Sequence, residues 1–189
     1  MAIKIFIDQG HNPRGVNAGA EANGLYEQDV TYEVGRQLRE LLIATGNYEV
    51  KLSRNAPGEI LGTSNASSLA ARTSAANSWG ADWFISIHAN ASSITAATGS
   101  EGYVYSLSSA ARPLAERIIE GISQYTGFPA RGVFARPTLY VLRRTAMPAT
   151  LIEIGFLTNQ AEAYLMSTDP SAYAKGMFIG IQRFFGFAE

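Results

Sequence analysis

The chain has 189 residues, 47% of them hydrophobic and 16% charged, with 15 basic and 16 acidic side chains, two histidines and no cysteine. This length suits one domain, predicted over residues 1–189, and the lack of cysteine excludes a disulfide scaffold, thiolate catalysis and a cysteine-ligated metal site. The formal net charge of -1 argues against a dedicated DNA or RNA binder, which normally carries a basic surplus.

Apolar runs along the chain predict the strands of a sheet. We expect strands at residues 3–8, 48–53, 83–89, 101–107, 138–143 and 149–156. Apolar residues spaced three or four apart predict helices at residues 30–42, 67–79, 114–125 and 173–184. Ser67 or Ser68 is expected to cap the second helix, and Pro170 to start the last one. Polar stretches at residues 55–68 and 90–100 are expected to be surface loops.

Several of the predicted strands are continuous in hydrophobicity rather than alternating, as at residues 3–7 and 83–87. Continuous runs of β-branched and aromatic residues are typical of strands that are covered on both faces. Together with the alternation of strands and helices, they predict an α/β fold. We expect a single-domain, twisted, mostly parallel sheet of about six strands, flanked by helices on both faces.

No stretch approaches the ~20 apolar residues that span a membrane, so no membrane insertion is expected. The N-terminal segment is expected to be a core strand rather than a signal peptide, because its apolar run is short and soon reaches Asp8. We further expect the protein to be a monomer.

Both histidines fall at the ends of predicted strands. His11 follows the first strand, His88 ends the third, and Glu153 lies in the last. If these strands are parallel, the three side chains meet at one edge of the sheet, where ligands collect in folds of this class. Glu27 opens the first helix, after the loop that leaves His11, and can reach the same point.

Two imidazoles and one carboxylate suit a catalytic zinc with an open position for water, and a second carboxylate could take a proton from that water. Each residue also has a plainer interpretation. A histidine at a strand end is often a satisfied core or turn residue, and an acid such as Glu27 is favoured in any first helical turn. Glu153 is harder to explain structurally, because a carboxylate between Ile152 and Ile154 is costly unless it is paired or serves a site.

Four segments carry a resemblance to a known family. They are residues 7–11 (IDQGH), Glu27 at the start of an amphipathic helix, residues 81–91 (ADWFISIHANA) and residues 148–159 (PATLIEIGFLTN). In this order they resemble the zinc-dependent N-acetylmuramoyl-L-alanine amidases of the Amidase_3 type, and the resemblance covers nearly the whole chain.

The resemblance implies that His11, Glu27 and His88 bind Zn2+ and that Glu153 is the catalytic carboxylate. The implied reaction is hydrolysis of the amide between the lactyl group of N-acetylmuramic acid and L-alanine of the stem peptide. The implied partner is peptidoglycan or a muropeptide, and the implied place of action is the bacterial cell wall. Whether such a chain is a phage lysin, a spore enzyme or the excised domain of an autolysin stays open.

Weaker candidates surround these residues. Asn90 could bind substrate or form a turn, Arg136 could pair a carboxylate of the stem peptide or be a solvated surface residue, and Asp8 could hold a histidine nitrogen or cap a loop. The family's Gly-Gly-x-Asp continuation after the first histidine is absent here, as is its acidic residue after Arg54, so the loops that border the site depart from the family's pattern.

Two other functions stay open from the sequence. The chain could be a zinc deacetylase or carboxypeptidase acting on other cell-wall bonds, or a non-catalytic cell-wall-binding domain. Retention of His11, Glu27, His88 and Glu153 argues against the non-catalytic alternative, because degenerate members usually lose such residues.

Overall fold

A six-stranded sheet and a separate small hairpin account for the strands of the structure, a computed structural model that describes residues 2–188. The strands are β1 (Ile3–Gln9), β2 (Glu21–Ala22), β3 (Leu25–Tyr26), β4 (Tyr48–Leu52), β5 (Trp83–Asn90), β6 (Ser100–Val104), β7 (Ala130–Ala135) and β8 (Ala149–Phe156). The helices are α1 (Glu27–Ala44), α2 (Asn65–Trp79), α3 (Ala111–Thr126), α4 (Tyr140–Arg144), α5 (Gln160–Thr168) and α6 (Pro170–Phe184).

The strand order in the main sheet is β4-β1-β5-β8-β6-β7. β4, β1, β5 and β8 run parallel, so their carboxyl ends lie at the same edge. β6 pairs antiparallel with β8 and parallel with β7, so β6 and β7 begin at that edge. The sheet is therefore mostly parallel, as predicted, with one reversal.

Side chains that alternate along the strands build a core on each face. On β1, Ile5 and Ile7 join the larger cluster, which contains the apolar sides of α1, α3 and α6. Phe6 joins a smaller cluster with residues of α2 and α4. Helices therefore flank both faces, which confirms the predicted fold class. Within residues 2–188, no helix combines the length and apolar character needed to cross a membrane.

The strand predicted at residues 138–143 is wrong, because this apolar run forms the short helix α4. A short apolar run fits a buried strand and a buried helical turn equally well. The outer neighbour of β6 is instead β7, which lies at the edge of the sheet. Its side chains are exposed or half-buried, so its sequence contains no apolar run that would predict a strand. The strand expected at residues 101–107 is also shorter, ending at Val104.

The cap of α2 and the presence of α5 differ from the prediction. Ser64, rather than Ser67 or Ser68, caps α2: its hydroxyl accepts the Ser67 N–H, and the Ser67 side chain closes a capping box. Helix α5 was not predicted, although Asn159 caps it by accepting the N–H groups of the next helical residues. Pro170 starts α6, as expected.

Candidate metal centre

His11 is presented by a sharp turn at the end of β1. Its φ of 67° lies in the left-handed region, and Gly10 before it is packed so tightly that a Cβ there would lie 2.6 Å from the Ile87 carbonyl oxygen. The Nδ1 atom of His11 lies 3.2 Å from the Asn17 carbonyl oxygen. A neutral imidazole that donates through Nδ1 to this carbonyl keeps the Nε2 lone pair available for a metal.

Glu27, the first residue of α1, lies between the two histidines. Its Oε2 is 3.1 Å from His11 Nε2, and its Oε1 is 3.0 Å from His88 Nδ1. Backbone N–H groups hold the carboxylate on both sides: Ala20 donates to Oε2 at 2.9 Å, and Ala89 donates to Oε1 at 3.1 Å. Burial alone would raise the pKa of Glu27, but the hydrogen bonds and charges of both histidines outweigh it and lower the pKa, so the carboxylate is ionised.

His11, Glu27 and His88 form a donor set that fits a metal ion. One ligand atom from each residue lies within 4.8 Å of the others. Ligands around a tetrahedral zinc, each about 2.0–2.1 Å from the ion, lie roughly 3.3 Å apart, close to the distances from Glu27 to each histidine. Two imidazoles and a carboxylate, with a position left open, are typical of a catalytic rather than a structural zinc site.

Glu153 lies beside this group on β8, where it is the register partner of His88 on β5. Its Oε2 atom is buried and has no hydrogen-bond partner among residues 2–188. Burial raises the pKa of Glu153 well above its usual value, and the negative charges of Glu27 and Glu101 raise it further. This carboxyl group therefore binds a proton readily, unlike Glu27.

Asp8 supports the site through Arg72 rather than through a histidine. Its carboxylate accepts from Arg72 Nη1 at 2.7 Å and from the Ser86 hydroxyl at 2.8 Å. Arg72 also donates to the carbonyl oxygens of Gln9 and His11, both at 2.5 Å. The expectation that Asp8 holds a histidine nitrogen is corrected, because the buried guanidinium of α2 occupies the carboxylate instead.

Asn90 and Arg136 lie outside the donor set. The side-chain oxygen of Asn90 accepts the Ala91 N–H at 2.8 Å, as in a turn. Arg136 follows β7 and places its guanidinium 5.1 Å from the centroid of the Tyr103 ring. Neither side chain makes a hydrogen bond to His11, Glu27 or His88 in the described part of the chain.

A cavity of about 180 Å3 adjoins the histidines. Its polar end includes His11 and His88, and its remaining wall is mainly apolar, with Leu69, Leu139 and Leu151 contributing. The two histidines thus border a space that can hold a small apolar group.

The sequence interpretation missed a second group of polar residues beside Glu153. Glu101 on β6 is the register partner of Glu153, and its carboxylate accepts from Arg131 Nε and from the Tyr103 hydroxyl, both at 2.5 Å. Burial and the neighbouring Glu101 carboxylate raise the pKa of Tyr103, which keeps its hydroxyl protonated as a donor. The sequence did not point to these residues, because β7 was not predicted and because the reversed direction of β6, which brings Glu101 beside Glu153, leaves no pattern in hydrophobicity.

A mostly parallel α/β sheet whose edge carries a potential His–Glu–His metal site and a buried, proton-binding carboxyl is typical of a hydrolase. Comparison with known proteins gives the family. The Amidase_3 family model, described as N-acetylmuramoyl-L-alanine amidase, matches residues 5–183, and the chain belongs to this family.

Relatives along the whole chain support the same assignment. It is 40% identical over 191 residues to N-acetylmuramoyl-L-alanine amidase CwlM of Bacillus licheniformis, covering 99% of this chain and 70% of that protein. It is 36% identical to the sporulation-specific N-acetylmuramoyl-L-alanine amidase of Bacillus subtilis (strain 168), covering 97% and 68%. The crystal structure of N-acetylmuramoyl-L-alanine amidase from Clostridium difficile 630 superposes with a TM-score of 0.86 at 30% identity, covering 98% and 97%. The chain is a peptidoglycan amidase.

Proposed function

We propose that residues 1–189 form one catalytic domain that binds Zn2+ through His11, Glu27 and His88 and uses Glu153 to move the proton. The reaction is hydrolysis of the amide between the lactyl group of N-acetylmuramic acid and L-alanine of the stem peptide, at the bacterial cell wall. The observation that carries the proposal is the convergence of three donor atoms beside the unpartnered, proton-binding carboxyl of Glu153. We further propose that the protein acts as a monomer.

The ligand roles follow from how each side chain is held. The Asn17 carbonyl fixes His11 so that Nε2 faces Glu27, and the N–H groups of Ala20 and Ala89 orient the Glu27 carboxylate. When bound, zinc lowers the pKa of a coordinated water and polarises the scissile carbonyl. The lowered pKa of Glu27 keeps this ligand ionised at neutral pH.

Glu153 transfers the proton from the attacking water to the leaving amine. As a carboxylate it takes a proton from the attacking water while the new carbon–oxygen bond forms. It then delivers that proton to the nitrogen of L-alanine as the carbon–nitrogen bond breaks, and the products are a carboxylic acid and an amine. Its raised pKa suits both steps, because a group must bind the proton before it can donate it.

Substrate contacts are proposed around this centre. The apolar wall of the cavity beside His11 and His88 can hold a methyl group next to the scissile amide. Arg136 can pair a carboxylate of the stem peptide. Asn90 can offer its amide nitrogen, because its side-chain oxygen already accepts the Ala91 N–H.

A muropeptide digest tests the proposal. The zinc-loaded protein is incubated with purified muropeptides, and the products are identified by mass spectrometry. New L-alanine amino termini together with intact N-acetyl groups support the amidase. Free hexosamine amines would indicate a deacetylase, loss of C-terminal residues a carboxypeptidase, and no product at one equivalent of bound zinc a wall-binding domain.

A further inference from the structure

Arg131 is held in one position by contacts to three parts of the structure. Its Nε donates to Glu101 Oε1 at 2.5 Å, and its Nη1 donates to the Thr98 carbonyl oxygen at 3.2 Å. The guanidinium also lies 5.3 Å from the centroid of the Phe156 ring. An arginine fixed in this way loses little conformational entropy when it binds a ligand.

The register of the sheet turns this side chain toward the candidate centre. Ser100 pairs with Ala130 and Glu101 pairs with Gly132, so Arg131 is the extra residue of a β-bulge. Gly132 has a φ of 123°, which a residue with a side chain adopts only with strain. Bulges of this kind redirect a side chain, and here the redirected guanidinium meets the Glu101 carboxylate.

Arg131 keeps donor capacity for a ligand. The side chain is 41% exposed, whereas that of Glu101 is only 12% exposed. Both Glu101 oxygens are occupied, one by Arg131 and the other by Tyr103. Among residues 2–188, Arg131 Nη2 donates to no protein group, so its two N–H bonds can serve an acceptor from outside.

The charge beside Glu153 favours an anion. The Glu101 carboxylate is balanced by Arg131, and Arg136 places a second guanidinium against the ring of Tyr103, the residue that donates to Glu101. Glu101 balances one of these two guanidinium groups, so the other keeps a positive charge that a bound carboxylate can pair.

The distance from Glu153 selects which part of the substrate reaches Arg131. Glu153, Glu101 and Gly132 are register partners across β8, β6 and β7. Strands lie about 4.8 Å apart, so Glu101, which holds the Arg131 guanidinium, is one strand spacing from Glu153, and the Arg131 backbone is roughly 10 Å away. An extended peptide advances about 3.3 Å per residue, so this distance corresponds to the second or third residue from the scissile amide.

We infer that Arg131, oriented by Glu101 and Phe156, binds a carboxylate of the stem peptide just beyond the L-alanine of the scissile amide. This inference rests on the proposed function, because it places the peptide side of that substrate over β6 and β7. Arg131 then determines specificity, by preferring a stem whose second residue carries a free carboxylate over one in which this group is an amide.

The test compares two muramoyl tripeptides that differ only in the α-carboxyl group of the second residue, free in one and amidated in the other. We expect the wild-type protein to cleave the acid with a kcat/KM about tenfold higher or more, as for a charge-assisted hydrogen bond, mainly through a lower KM. In the Arg131→Gln variant, the ratio of kcat/KM for the acid to kcat/KM for the amide should fall close to one. Arg131→Lys should restore part of it, because a point charge remains.

Matched variants separate recognition from folding. Arg112, on α3, is also an exposed arginine paired with a glutamate, and Arg112→Gln should keep the wild-type ratio. The ratio of kcat/KM for the two substrates, measured on one preparation, does not depend on the folded fraction. A lower stability of Arg131→Gln therefore cannot produce the expected loss of preference. If Arg136→Gln abolishes the ratio and Arg131→Gln keeps it, the assignment to Arg131 is overturned. Equal cleavage of both substrates by the wild type refutes this inference alone, whereas release of alanine amino termini from neither refutes the proposed function as well.

Discussion

At the scale of single residues, Glu27 and Glu153 are both carboxyl groups beside the histidines, yet their surroundings give them opposite proton affinities. Burial acts on both, but at Glu27 the hydrogen bonds from His11 and His88 reverse its effect and lower the pKa. At Glu153 no donor from residues 2–188 compensates for burial, and the charges of Glu27 and Glu101 raise the pKa further. Two carboxyl groups separated in this way are suited to different tasks, one to ligating a cation and the other to carrying a proton.

Replacing Glu153 tests this division. Glu153→Gln keeps the size of the side chain but cannot carry the proton, so kcat should fall by roughly 10²–10⁴-fold or more while one equivalent of zinc stays bound. Steady-state muropeptide hydrolysis and elemental analysis measure the two quantities. Glu116→Gln, on the exposed surface of α3, should leave both unchanged. A Glu153→Gln protein with wild-type kcat would refute the proton-transfer role.

The residues at the candidate metal centre could be predicted from the sequence, whereas the polar residues next to Glu153 could not. His11, His88 and Glu153 could be placed together because they end or occupy apolar runs that form parallel strands. Glu101 and Arg131 could not, since they reach the site through the reversed direction of β6 and a bulge in β7. Neither feature leaves a pattern in hydrophobicity.

At the scale of elements, β1 and α2 are joined beneath the candidate metal centre by the pair Asp8–Arg72. Both side chains are 1% exposed, at a separation of 2.7 Å. Burial by itself would raise the pKa of Asp8, but the charge and hydrogen bond of Arg72 lower it below its usual value. Because Arg72 also binds the carbonyl oxygen of His11, it fixes the turn that presents this histidine.

Removing the guanidinium should therefore destabilise the protein and loosen the site. We expect Arg72→Met to lower the free energy of unfolding by about 3–5 kcal/mol, because it leaves the Asp8 carboxylate buried and unpaired. Arg112→Met removes an exposed ion pair and should cost no more than about 1 kcal/mol. Urea unfolding measures both. In the double variant Asp8→Asn/Arg72→Met the losses should be less than additive, and additive losses would show that the pair is not coupled.

The elements themselves were predictable where burial decides their pattern. The strands β1, β5 and β8 carry apolar runs because neighbours and helices cover them, while β4, at one edge, alternates buried and exposed residues; the predicted bounds of all four agree with the structure to within two residues. β7 lies at the edge of the sheet with Arg131 and Gly132 in its middle, so it lacks such a run. Val141 and Leu142 of α4 are apolar because they are buried in the smaller core cluster, and with the apolar residues before them they give a short run that resembles a strand.

At the scale of the whole molecule, the sheet collects groups that are distant in the chain. Its parallel strands bring His11 and His88 to one edge, α1 starts at that edge with Glu27, and β8 supplies Glu153. The reversal at β6 places Glu101 next to Glu153 at the same edge. The donor set therefore forms only when β1, α1 and β5 are assembled, so metal binding and folding are linked.

This linkage predicts that zinc stabilises the folded protein. At a free zinc concentration 100-fold above Kd, binding adds about 2.7 kcal/mol to the free energy of unfolding. For a chain of 189 residues this raises Tm by roughly 5–10 °C. Differential scanning fluorimetry with zinc and with a chelator measures the shift. Glu153→Gln should keep it, because Glu153 is not a proposed ligand, whereas His88→Ala should abolish it and lose zinc on dialysis. A wild-type Tm that is the same with and without zinc, or a His88→Ala variant that retains one equivalent, would rule out the proposed ligand set.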